Sequence, residues 1–212
     1  MAMAGKKPLL LIACGAVAHE TMAVLRKSGM DGISVQCLPA HLHNTPQLIP
    51  GRVREKIQEG KKSFERIFVL YGDCGAGGLL DEMLAEEGVE RIPGAHCYEF
   101  FAGGADFAAM ADEEPCTYYL TDFLVRHFQR LVIEGLGIDR HPQLLPMYFG
   151  NYTRVVYLSQ HPTPERLAEA KAAADRLGLA FVHRDVGYGD LEKSLVSERR
   201  RIDRAKLAEA AE

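Results

Sequence analysis

The chain has 212 residues, is 47% hydrophobic and 25% charged, and carries a formal net charge of -4, a balance that supports a substantial core and excludes extended disorder. Its lysines and arginines are scattered rather than striped, so nucleic acid is not an expected partner. There is no run of 18 apolar residues and the MAMAGKK start lacks the apolar core of a secretory signal, so no membrane partner is expected and the expected location is cytoplasmic. Five cysteines, an odd number, then read as thiols or ligands rather than as a disulfide framework.

Residues 8–13 are almost continuously apolar, as a parallel strand covered on both faces should be. Cys14-Gly15 ends that strand, and residues 17–27 read as a helix closed by Gly29. A second strand over 33–38 contains Cys37. The proline-flanked loop after it carries His41 and His43, and residues 47–59 read as the next helix. A third strand over 64–71 runs into the turn Gly72-Asp73-Cys74-Gly75-Ala76-Gly77-Gly78, followed by a helix over 79–87 and a short strand over 89–92. This rhythm predicts an α/β fold: a doubly wound, mostly parallel sheet with helices on both faces.

Residues 100–110 are small, apolar and glycine-rich, and the amphipathic spacing over 118–135 predicts one long helix. Further elements are a strand over 153–158, a helix over 164–177 with Thr163 as N-cap, Pro164 at its first position and Gly178 as its stop, a strand over 179–184, and a charged helix from Asp190 onward. The chain is expected to form a single α/β domain over 1–212, divisible into two sub-lobes at about 1–115 and 116–212.

Three cysteines stand where predicted elements end: Cys14, Cys74 and Cys97. In open α/β sheets ligands bind beyond the strand C-termini, and a thiol there faces the positive end of the following helix. Three such thiolates with one open position suit a [4Fe–4S] cluster, and zinc with a labile fourth ligand is the chemical alternative. His43, Asp73 and Glu99 are the candidate proton carriers, with His19, Glu20, His41 and His96 also flanking the thiols. Cys37 and Cys116 read as small core residues. The glycine-rich turn around Cys74 lacks the lysine and hydroxyl of a phosphate loop. Arg126 and Arg130, four apart on one face, suit either an anionic ligand or a solvated rim.

At LLLIACGAVAHE, LPAHLHNTPQLIP and FVLYGDCGAGG the chain resembles the DUF1638 family of bacterial and archaeal proteins, with Cys14, Cys74, Cys97 and His43 at the matching positions. The resemblance implies a setting of corrinoid-dependent methyl transfer and a corrinoid protein as candidate partner. The layout of three separated cysteines is also similar to that of quinolinate synthase and thiouracil desulfidase, where a [4Fe–4S] cluster leaves one iron for substrate.

The leading expectation is therefore a metal-dependent enzyme of lyase or hydrolase type, acting on a small thiol- or carboxylate-containing substrate through the cluster as a non-redox Lewis acid. A zinc-thiolate methyltransferase or methyl-transfer accessory is the second. A non-enzymatic α/β protein binding a small molecule is the third. A homodimer is the base-rate assembly.

Overall fold

The computed structural model describes residues 7–30 and 32–209; the start of the chain before Lys7, which bears on the expectation about a secretory signal, lies outside the described residues. The chain divides into two compact units, Met1–Phe100 with Asp190–Glu212, and Phe101–Gly189.

The first unit opens with β1 (Lys7–Cys14), α1 (Ala18–Lys27), β2 (Ser34–Leu38), α2 (Ile49–Gly60), β3 (Phe64–Leu70), α3 (Leu79–Glu87), β4 (Glu90–Arg91) and α4 (Cys97–Ala102), the last reaching the unit boundary. The strands form a parallel sheet in the order β2-β1-β3-β4. β1 is central, and Leu9 through Ala13 are fully buried, which is why that strand is apolar without alternation. Gly60 of α2 lies against Leu10 and Ile67, so α2 covers one face of the sheet. Arg66, the neighbour of Ile67, points to the other face.

The second unit follows with α5 (Gly104–Glu113), β5 (Thr117–Thr121), α6 (Asp122–Arg126), α7 (Leu145–Phe149), β6 (Arg154–Ser159), α8 (Pro164–Leu177) and β7 (Ala180–Asp185). Its sheet is parallel, in the order β5-β6-β7. Leu120, Val155 and Tyr157 pack with Val125, Phe128, Ala170, Ala173 and Ala174 into a core between that sheet and α6 and α8. The last helix, α9 (Gly189–Glu209), returns to the first unit. There Arg66 Nε donates to buried Glu198 at 2.5 Å and Lys27 of α1 pairs with Glu192 at 3.0 Å, so α1 and α9 lie on the face opposite α2. Helices thus cover both faces of a doubly wound sheet.

The predicted long helix over 118–135 is replaced by three elements. Residues 117–121 form β5, α6 follows, and a π-helical segment spans Gln129–Glu134. The TYYLT segment is aromatic and β-branched, and it pairs with β6 through five residues, so strand pairing outweighs the helical spacing that begins at Phe123. The Thr121 hydroxyl then accepts from Leu124 N and starts α6. The glycine-rich stretch over 100–110 is helical, broken at Gly103, whose φ is 85°. Among the described residues no helix is long and apolar enough to cross a membrane.

Candidate thiol site

In the β2-β1-β3-β4 sheet the chain steps outward in one direction from β1 to β2 and in the other from β3 to β4. The crevice beyond the C-termini of β1 and β3 is therefore the topological switch point, where α/β sheets bind ligands. Cys14 is the last residue of β1, and Tyr71 to Cys74 follow β3.

Each thiol is fixed by the turn that carries it. Cys14 is buried and its Sγ accepts from Ala16 N at 3.3 Å, capping the short 3₁₀ turn that leads into α1. Gly15 lets that turn close on β2, since a Cβ there would sit 3.1 Å from Leu38 O. Cys74 has a φ of 50°, and its N–H donates to Ala95 O at 2.8 Å. That bond ties the turn after β3 to the turn after β4. Gly72 makes the approach feasible, because a Cβ there would lie 2.8 Å from Ala95 O and 3.1 Å from His96 Cα. Arg91 holds the same junction: its Nη1 donates to Ile92 O at 2.8 Å and Gly94 O at 2.9 Å, while Nε and Nη2 grip Asp81. Cys97, placed in a turn by sequence, opens α4 just beyond it.

Electrostatics links the thiols. Burial pushes the Cys97 thiol well above its ordinary pKa, and the charges of Cys74 and Cys14 push it further, with buried Glu20 adding to the effect. Burial also raises the Cys14 pKa, against the opposing pull of Ala16 N–H and the Tyr71 hydroxyl. Tyr71 is buried, and desolvation together with the charges of Cys14, Cys74 and Cys37 drives its own pKa far up, so the phenol stays protonated beside the thiols.

His43 sits 3.9 Å from Cys14 Sγ through Nδ1, and the same nitrogen lies 2.8 Å from Ala40 O. A carbonyl only accepts, so Nδ1 carries hydrogen and Nε2 is the nitrogen left for a substrate proton. Burial would lower the His43 pKa, but the hydrogen bond and charge of Cys74 and the Ala40 carbonyl outweigh it and leave it raised.

The structure separates the remaining candidates. The Asp73 carboxylate accepts from Gly77 N at 3.1 Å and Gly78 N at 2.9 Å, so it organises the turn into α3. Glu99 Oε2 lies over Gly94, within the Cys97 turn. His19, His41 and His96 are exposed. Cys37 and Cys116, expected in the core, are both exposed: β2 is an edge strand, and Cys116 precedes β5. Among the described residues no three His, Cys, Asp or Glu side chains are gathered closely enough to hold a metal ion without rearrangement.

The family model described as "Protein of unknown function (DUF1638)" matches residues 37–195, well over half of the chain. The chain belongs to the DUF1638 family. In this DUF1638 protein the matched range contains His43, Cys74 and Cys97 and begins beyond Cys14. No curated protein matches the sequence. Among solved structures, ornithine carbamoyltransferase from Pyrococcus furiosus is similar at 12% identity over 84% of this chain and 54% of that one, with a TM-score of 0.25. The DUF1638 chain thus spans about half the length of that enzyme, and a likeness at this score carries no argument about fold or chemistry.

The second unit of the DUF1638 chain holds a polar cluster that its sequence did not announce. Asp122, buried at the start of α6, accepts from Tyr157 Oη at 2.6 Å, Gln160 N at 3.1 Å, His161 N at 3.0 Å and Arg166 Nη1 at 3.2 Å. Beside it Ser159 Oγ lies 2.9 Å from His183 Nε2. The signal available in sequence was the polar pair Ser159-Gln160 ending an apolar strand.

Proposed function

We propose that this DUF1638 protein is an enzyme whose Cys14, Cys74 and Cys97 hold a [4Fe–4S] cluster used as a non-redox Lewis acid on a small thiol- or carboxylate-containing substrate. The observation that carries this reading is that Cys14, Cys74 and Cys97 all stand at or beyond strand C-termini of one parallel sheet, where the Cys74 N–H bond to Ala95 O ties the turn after β3 to the turn that leads into Cys97. The donor set fits in kind: soft sulfur ligands favour iron–sulfur, zinc or copper(I) over harder ions. It also fits energetically, since bringing buried Cys14 and the half-buried Cys74 and Cys97 together as thiolates is unfavourable until a cation compensates them.

When bound, the cluster would supply an open iron that polarises a substrate oxygen or sulfur. The chain's own groups do the rest. Tyr71, protonated and buried, favours the Cys14 thiolate. His43 offers Nε2 to take or give a proton at the substrate, its ring fixed by the Ala40 carbonyl. Arg91 and the Cys74 N–H hold together the turns that carry Cys74 and lead into Cys97. Asp73 is engaged by Gly77 and Gly78, which leaves Glu99 as the reserve carboxylate.

Protein isolated without oxygen should be brown and hold roughly four iron and four labile sulfide per chain. Serine at any one of the three cysteines should lower both. Colourless, iron-free protein after anaerobic reconstitution overturns the cluster. Stoichiometric zinc in its place, with thiol methylation dependent on a corrinoid protein, would instead establish the zinc-thiolate alternative.

A further inference from the structure

We infer that the cleft between α6 and α8 is a binding site for a small organic oxyanion, separate from the thiol site. The cleft has a volume of about 490 Å³, within the size range of small-molecule sites, and Arg126, Arg166 and Arg176 line it, with Glu169 the one acid among its lining residues.

Two of these guanidinium groups are anchored on one residue. Arg126 Nε donates to the backbone carbonyl of Asp122 at 3.2 Å, and Arg166 Nη1 donates to its carboxylate at 3.2 Å. Asp122 is itself immobilised by Tyr157 Oη and two backbone N–H groups, so both cations are set in place before any ligand arrives. This network does not saturate Arg166, whose Nε–H is buried with no acceptor. An oxyanion in the cleft would add charge-assisted hydrogen bonds to the guanidinium groups that line it. The local field is positive as well: burial and the charges of Arg130 and Arg126 lower the pKa of His127 in the turn after α6.

The lining also defines the rest of the ligand. On α8 the positions 166, 169, 173 and 176 share a face, and Ala172 and Ala173 leave a low floor between the arginines at its two ends, about 15 Å apart by helical rise. Val125 and Phe128 form the apolar wall opposite. A carboxylate or phosphate at the Arg126–Arg166 end, with an apolar body lying over the alanines, matches this arrangement.

Calorimetric titration of the full chain with benzoate and with phenyl phosphate tests the site, and the tighter ligand identifies the oxyanion. The variants are Arg126→Gln, which removes one cation, and Ala172→Glu, at an exposed position, which adds a carboxylate to the floor. Saturable binding of at least one ligand is expected, weakened about tenfold or more in each variant, as for loss of one charge-assisted contact, with circular dichroism and thermal midpoint unchanged. Absence of saturable binding to the wild type, or wild-type affinity in either variant, overturns the inference. Anaerobic metal content is not part of the readout, so failure here leaves the proposed cluster standing.

Discussion

The imidazole of His43 lies nearly parallel to the phenol of Tyr71, with ring centroids 6.1 Å apart and planes inclined by 18°. Two proton-bearing rings therefore stack beside the thiols with opposite biases. Tyr71 is pinned in its neutral form, while His43 leans toward the imidazolium.

The lean of His43 depends on its neighbour, since the Cys74 contribution is what overcomes burial. In Cys74→Ser the His43 ring is expected to titrate at lower pH than in the wild type, as followed by its NMR resonances. An unchanged midpoint would show that the thiol has no influence. The linkage has a definite sign: a raised folded-state pKa adds stability that is fully present below the unfolded value of about 6.5 and is lost as pH rises through the folded one. The stability difference between wild type and His43→Gln should accordingly shrink on going from acidic to alkaline pH.

The thiols should differ in reactivity. Thiolate is the nucleophile, and burial holds the Cys14 and Cys97 pKa values above the ordinary range. Iodoacetamide at neutral pH should label exposed Cys116 first and leave Cys14 and Cys97 unmodified until the chain is denatured, by peptide mass spectrometry of the metal-free protein. Rapid modification of Cys97 in the native chain would contradict the desolvated setting.

Gly72 reports on the junction between the two cysteine-bearing turns. Its contacts with Ala95 and His96 are to backbone atoms, which cannot swing aside as a flexible side chain can. Gly72→Ala should cost about 1–3 kcal/mol in urea denaturation, the range for an overpacked site, and should displace the Cys97 turn. A neutral substitution would mean that this junction yields easily.

Asp122 tests the second unit. Asp122→Ala removes an acceptor that serves four donors and leaves Arg166 without its counter-charge, so a loss of about 3–5 kcal/mol is expected. Tyr157→Phe removes a single hydrogen bond to a charged group and should cost less, about 1.5–3 kcal/mol. Equal effects in chemical denaturation would argue that the carboxylate acts through Tyr157 alone.

Local signals made much of the fold legible. The helix after Thr163 reads correctly because its cap, Pro164 and Gly178 all lie within a few residues of its ends; the Thr163 hydroxyl indeed accepts from Arg166 N at 3.2 Å. That Cys14 and Cys74 stand at or beyond strand C-termini was equally accessible, since cysteine and glycine interrupt two apolar strands in the same way, whereas the strand order that makes this place a switch point was not. β5 was hidden because a strand of five residues adjoins helical spacing, and its pairing with β6 is more than thirty residues distant in sequence. The Asp122 cluster was hidden for the same reason: nothing near Asp122 in the chain indicates that Tyr157 and Arg166 will meet it.

Cys74 is the one described non-glycine residue with positive φ, and three of the next four positions are glycines that also take positive φ. A side chain in that left-handed region costs about 1–2 kcal/mol, which glycine would not incur. Selection of this gene in the laboratory for heat tolerance alone should therefore enrich glycine at position 74, and the survivors should be hardier proteins that have discarded a sulfur. Recovery of such variants would measure how much robustness the natural chain forgoes to keep a thiol at that bend.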